Sequence, residues 1–277
     1  VPLALFGDRN YSIATGVTLI TSFSMYGLLL VFVIETQTLL GMSPLMSGVT
    51  ALPWTIALSA VAPVGGRLAD KVGGRLPLTV GLGLYALGVL GVAFIPDRNA
   101  TFGTYVLPML LVGVGMGLAL APATTEAMRG VTPSLAGAAS GVLNTARQTG
   151  AALGAAVIGA VLQNRLVSAL REQALVLSER LPEAVRPRFL AGFEEAAAHG
   201  LRLGSGQQGG IAVPADLPPQ QAELFGQLTR EAFGTAFVAA ARPALVVAAV
   251  ALVLGGLLAS RLVRRHQPAP APAPVEH

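Results

Sequence analysis

Ionisable side chains are few in this sequence, and their spacing sorts them into three groups. One is the run Gly65-Gly66-Arg67-Leu68-Ala69-Asp70-Lys71-Val72-Gly73-Gly74-Arg75. Its glycines permit a tight turn between two antiparallel helices, and Asp70 can cap or pair near a helix end while Arg67, Lys71 and Arg75 clamp the facing surface. Contacts of that kind form a gate when they weaken in one state. The second group is Asn144, Arg147 and Gln148, polar residues within a long apolar run, where a charge must find a partner or water. Such a charge lines a cavity and meets substrate or a switching partner, or else bonds to neighbouring helix carbonyls. The third group is Glu35, with Gln37 beside it, and Glu126, carboxylates at the ends of apolar runs. Each is a candidate proton-binding gate residue, and each can equally be solvated at an interface.

Other chemistries lack their residues. There is no cysteine, hence no thiol nucleophile or thiolate metal site. His199, His266 and His277 have no metal-ligand spacing, and no metal site is expected. No phosphate-binding glycine loop ending in Gly-Lys-Ser/Thr occurs, nor a Gly-x-Ser-x-Gly nucleophile, so neither a nucleotide-driven pump nor an enzyme is expected. Net charge is +4, but the basic residues form no run longer than Arg264-Arg265 and no aromatic residues interleave with it, which gives no nucleic-acid signature.

The elements that must position these residues follow from composition. Of 277 residues 53% are apolar and 12% charged, and 15 of the 32 charges fall between Gln163 and Phe233. That distribution predicts an all-α membrane protein. A helix crossing the bilayer needs about 20 apolar residues. Six uncharged or nearly uncharged runs supply helices near 12–35, 45–65, 76–95, 104–125, 138–162 and 238–260. The chain thus divides into helices one to five over 1–162, an external loop with amphipathic helices over 163–233, a last span over 234–263 and a disordered Pro/Ala tail over 264–277. Within the loop, 178–200 contains an amphipathic helix and 220–233 a helix leading into the last span. Six spans place both termini on one side. That side holds Arg9, Arg67, Lys71, Arg75, Arg129, Arg261, Arg264 and Arg265 against Arg98 alone in the short loops opposite, the long connection 163–233 being left out because long loops translocate largely regardless of charge, which makes it the cytoplasm.

Glycine spacing adds a packing signal. Gly113 and Gly117, Gly137 and Gly141, and Gly150 and Gly154 form Gly-x-x-x-Gly pairs that allow close helix approach.

The loop residues Gly66, Asp70, Lys71, Gly73, Gly74 and Arg75 resemble the Gly-x-x-x-Asp-Arg/Lys-x-Gly loop signature of the major facilitator superfamily. Gly48-Val49-Thr50-Ala51-Leu52-Pro53, Gln37, and Asn144 with Arg147-Gln148-Thr149-Gly150 and Gly154 are similar to its fourteen-span drug:proton antiporter family. The resemblance covers about Phe6 to Arg265. It implies a six-helix bundle that is the C-terminal half of a transporter, with an N-terminal half-bundle as missing partner. The chain begins Val1-Pro2-Leu3, which fits a piece of something longer. The implied activity is proton-coupled efflux of amphipathic compounds from the cell membrane by alternating access, with the proton as coupling ion and no other cofactor. Expected partners are the lipid bilayer and a small amphipathic substrate, not nucleic acid. A facilitator of other metabolites, or a six-span sensory or structural module, are the competing readings.

Overall fold

Asp8 starts the first helix, its carboxylate accepting the free N–H groups of Asn10 and Tyr11. From there the chain, seen in a computed structural model that describes residues 3–95, 100–198, 211, 213–214 and 217–263, folds entirely into helices and their connections. Helix α1 spans Arg9–Ile34 and runs into a π-helical turn, Glu35–Leu39. Gly41, at φ +64°, reverses the chain, and Ser43 caps α2 (Pro44–Val72) with Pro44 in the first turn, where its missing N–H costs nothing. Gly73 ends α2 at φ +84°, a conformation that side chains with a Cβ avoid. Helices α3 (Arg75–Ala93), α4 (Phe102–Met128) and α5 (Ala136–Ser178) follow, then α6 (Arg186–Ala198) and α7 (Pro219–Ala259). Thr101 and Thr104 close a reciprocal cap at the start of α4.

Six of these helices, all but α6, are long and apolar enough to cross a membrane. They pack as two interlocked groups of three: α2 lies chiefly against α4, and α5 against α1, so each group's middle helix seats on the other group. α7 closes the bundle against α5, α3 and α1. The termini of the bundle meet at one end, where Asn10 donates to the Val263 carbonyl at 2.8 Å and accepts its N–H at 3.1 Å. Tyr11 reaches across the same end to the Ala139 carbonyl of α5.

One helix is longer than the sequence predicts: α5 continues 16 residues past 162. The helix expected over 220–233 runs unbroken into the last span, the two together forming α7. At 1.5 Å per residue α5 is about 64 Å long, roughly twice the hydrocarbon core of a bilayer. The reason is visible in the spacing. Leu162, Leu166, Leu170, Ala174 and Leu177 keep one buried stripe going, while Arg165, Arg171 and Glu172 lie on the exposed face. Charge ends an apolar span in the sequence, yet it does not end an amphipathic helix. On the projecting parts α6 packs against α5, and Phe189 meets Phe193 and Phe225 edge-on at 4.9 and 5.1 Å. Arg98, His199, His266, His277, Arg264, Arg265, the tail 264–277 and most of the loop 199–216 lie outside the described residues.

Candidate functional site

At the end of the bundle that carries the α2–α3 turn, five residues join into one network. Glu126, in the last turn of α4, accepts the backbone N–H of Gly74 at 2.8 Å and pairs with Arg129 at 2.7 Å. Arg129 in turn reaches Asp70 at 3.7 Å and the Ala69 carbonyl at 3.4 Å. The glycine at 74 is required, because a Cβ there would collide with the Glu126 side chain. The turn is thus fastened to α4 directly through Glu126 and through Arg129, neither of which the motif itself contains. The signal that would have found the arginine is the three-residue spacing from Glu126 to Arg129, one helical turn. Arg67, Lys71 and Arg75 are exposed and make no ion pair among the described residues. Gly66 is half-buried beside Ala121 of α4.

At the opposite end stands the other carboxylate. Glu35 opens the π-helical turn and is 7% exposed, and the Tyr105 hydroxyl of α4 donates to its Oε1 at 2.9 Å. Phe32 packs edge-on against the Tyr105 ring at 5.6 Å, and Thr36 shares a 2.7 Å hydroxyl contact with Ser47 of α2. No ion pair to Glu35 occurs among the described residues. π-turns concentrate at functional positions, because the extra residue re-aims the side chains around it. The sequence allows both Glu35 and Glu126 a solvated interfacial role. The structure corrects this: helix packing buries both, and each holds a partner on α4 or its neighbouring turn. Gln37 is half-buried and makes no side-chain hydrogen bond among the described residues.

Between the two ends lies a cavity of about 560 Å³ bounded by α1, α2, α4 and α5. Its apolar wall is Met25, Tyr26, Trp54, Leu58, Met116 and Leu120, with the Trp54 indole N–H on the Met116 sulfur at 3.1 Å. Its polar groups are Thr21, Ser22, Thr55, Thr124 and Arg147. Arg147 lies 11 residues into α5, about 16 Å from its start, and makes no hydrogen bond or ion pair among the described residues. The reading of Arg147 as an arginine bonded to helix carbonyls therefore does not hold. Asn144 and Gln148 are exposed but do not line this cavity. Among the described residues no three His, Asp or Glu side chains come together as metal ligands.

The sequence pattern of the Major Facilitator Superfamily matches residues 3–155, more than half of the chain. The chain belongs to the major facilitator superfamily. Its relatives within that superfamily include Multidrug resistance protein Stp of Mycobacterium tuberculosis, 33% identical over 68% of this chain and 34% of that protein's length. The Tetracenomycin C resistance and export protein of Streptomyces glaucescens is 31% identical over 91% of this chain and 45% of its own length. The Puromycin resistance protein pur8 of Streptomyces alboniger is 32% identical over 50% and 28%. The chain thus spans less than half the length of these curated relatives. Its six membrane-crossing helices form one half of a facilitator transporter, a multi-pass membrane protein.

Close helix approach in this facilitator half is uneven. A Cβ on Gly150 or Gly154 would strike the carbonyls of Leu19 and Phe23, so α1 and α5 touch backbone to backbone there. Gly113 and Gly117 press α4 against α2 at Trp54 and Val61 in the same way. Gly137 and Gly141 correct the packing expectation: a Cβ on either meets nothing within 4 Å, because that face of α5 has no helix of this chain against it.

Proposed function

We propose that this chain is the C-terminal half of a proton-coupled exporter of amphipathic compounds, working by alternating access against a second six-helix bundle. The observation that carries the reading is the cavity: a drug-sized hollow with an apolar wall, a few hydroxyls and one arginine that has no partner among the described residues, in a bundle whose relatives are named for drug resistance and export. The end bearing Asp70 and Arg129 faces the cytoplasm of the cell membrane, as the excess of arginine and lysine there supports. The Asp70–Arg129–Glu126 network acts as the cytoplasmic gate fastening. Glu35, buried with a single phenolic donor and no cation among the described residues, is the coupling carboxyl that gains and releases the proton. Coupling then requires that protonation and substrate favour different states of the bundle, since a ligand binding both equally shifts nothing.

The test uses the full-length transporter in everted membrane vesicles with amphipathic dyes of differing charge. Accumulation that depends on an acidic lumen and collapses with a protonophore is expected. Absence of gradient-dependent accumulation of every dye, with the protein present in the membrane, would refute export. For the coupling role, Glu35→Gln should abolish uphill accumulation while keeping dye counterflow. Uphill accumulation at the wild-type rate in that variant would remove Glu35 from the mechanism.

A further inference from the structure

We propose that the α1–α2–α4–α5 cavity takes amphipathic organic anions, an apolar or planar aromatic body joined to an ionised acid, and that Arg147 binds the acid. The inference rests on the export reading for its setting and names the substrate class of that same site.

The case is a count of donors and charges. Every threonine hydroxyl on the wall already gives its proton to a helix carbonyl: Thr21 to Val17 at 2.8 Å, Thr55 to Leu52 at 3.0 Å and Thr124 to Leu120 at 3.1 Å. The Trp54 N–H is engaged by Met116. What remains to donate into the cavity is the Arg147 guanidinium and the hydroxyls of Ser22 and Tyr26, neither of which has a side-chain partner among the described residues. Among the described residues no aspartate or glutamate lines the cavity. Glu35 and Glu126 stand toward opposite ends of the bundle and are held by Tyr105 and by Arg129 with Gly74. Among the described residues of this half-bundle the site therefore offers one strong, planar, five-donor cation, exposed on the open side, and no anion to balance it. A guanidinium in that setting prefers a carboxylate, sulfonate or phenolate it can grip with two N–H groups. A lipophilic cation would meet like charge with nothing to offset it.

The rest of the wall fits the body of such a molecule. Trp54 and Tyr26 offer aromatic faces, and Met25 and Met116 adapt to irregular shapes. Tyr26 also borders a second, apolar hollow of about 670 Å³ between α1 and α5, lined by Leu29, Leu30, Val33 and Ile34. The two hollows share that ring, so one compound can place its acid at Arg147 and its apolar end beyond Tyr26.

The experiment compares two dyes with one ring system and opposite charge, fluorescein as the anion and rhodamine 6G as the cation. Fluorescence anisotropy reads their binding to the full-length transporter in detergent, with no gradient applied. Wild type is expected to bind fluorescein more tightly than rhodamine 6G. Arg147→Gln should weaken fluorescein at least about tenfold, the scale of one lost charge-assisted contact, and leave rhodamine 6G within about twofold. Arg147→Lys should fall between, keeping the charge without the fork. Unchanged fluorescein affinity in Arg147→Gln, an equal fall for both dyes, or a wild type that prefers rhodamine 6G would each overturn the proposal. Because binding is read apart from transport, the two failures separate. Rhodamine export without fluorescein binding would sink the anion site and leave the exporter, whereas fluorescein binding without gradient-driven export of any dye would do the reverse.

Discussion

Asp70 and Glu126 contact the same arginine, yet burial gives them different work. The Glu126 side chain is 3% exposed and holds both Arg129 and the Gly74 N–H at short distance, so its loss strands a buried backbone donor and leaves a partly buried cation with only its longer contacts to Asp70 and Ala69. Leaving a buried polar group unpaired costs about 1–3 kcal/mol, more beside a charge. Glu126→Ala is therefore expected to lower the unfolding temperature of the purified full-length protein clearly, and an unchanged melting curve would show that the network relaxes without it. Asp70 is 58% exposed and stands 3.7 Å from Arg129. A solvent-screened contact of that length is worth no more than about 1 kcal/mol. That is too little to hold a fold and suitable for a contact that must break and reform each cycle. Asp70→Asn should accordingly leave membrane level and melting near wild type while impairing efflux; wild-type efflux would remove Asp70 from gating.

At the scale of the helix, the contact between α1 and α5 depends on two residues having no side chain. Gly150→Ala or Gly154→Ala puts a methyl group into the carbonyl of Leu19 or Phe23, and because the obstacle is backbone, only separation of the helices relieves it. Overpacking of this kind costs about 1–3 kcal/mol. Gly137→Ala meets open space, and alanine in place of a glycine within a helix gains up to about 1 kcal/mol from propensity. Thermal unfolding of the three variants should rank them in that order, and equal melting would mean that α5 shifts along α1 at no cost. The identical spacing of these pairs in the sequence explains what was legible. Six spans, their turns at Gly41 and Gly73 and the loop around Asp70 follow from apolar runs and local chemistry, which act over a few residues. Which face of α5 meets α1 is a tertiary fact, and spacing alone gives Gly137 and Gly150 the same weight. The same limit hid the burial of Glu35, which requires Tyr105 from a helix 70 residues away, and the role of Arg129, which no motif residue announces. Arg147 was legible because an unpaired charge in an apolar run is unusual in itself.

The whole molecule joins two parts with different solvents. Within the bilayer length, exclusion of water keeps the helices formed whether or not their neighbours pack well. Beyond it, α6 and the projecting parts of α5 and α7 stay folded by burying their own apolar face, with Phe189, Phe193 and Phe225 fully covered. Deleting α6 would uncover Phe225 on α7, so a single core substitution is the cleaner probe of that part. Phe189→Ala leaves a cavity among three aromatic rings and costs about 3–5 kcal/mol of local stability. Limited trypsin digestion of the full-length protein in vesicles should then cut faster after Arg188, in the first turn of α6, with the spans still protected. Dye transport should remain near wild type, because neither the cavity around Arg147 nor the Asp70 network touches the projecting helices. Transport falling in step with the cleavage rate would instead mean that α5 and α7, each continuous from the projecting part into the bundle, carry the loosening inward to the cavity wall.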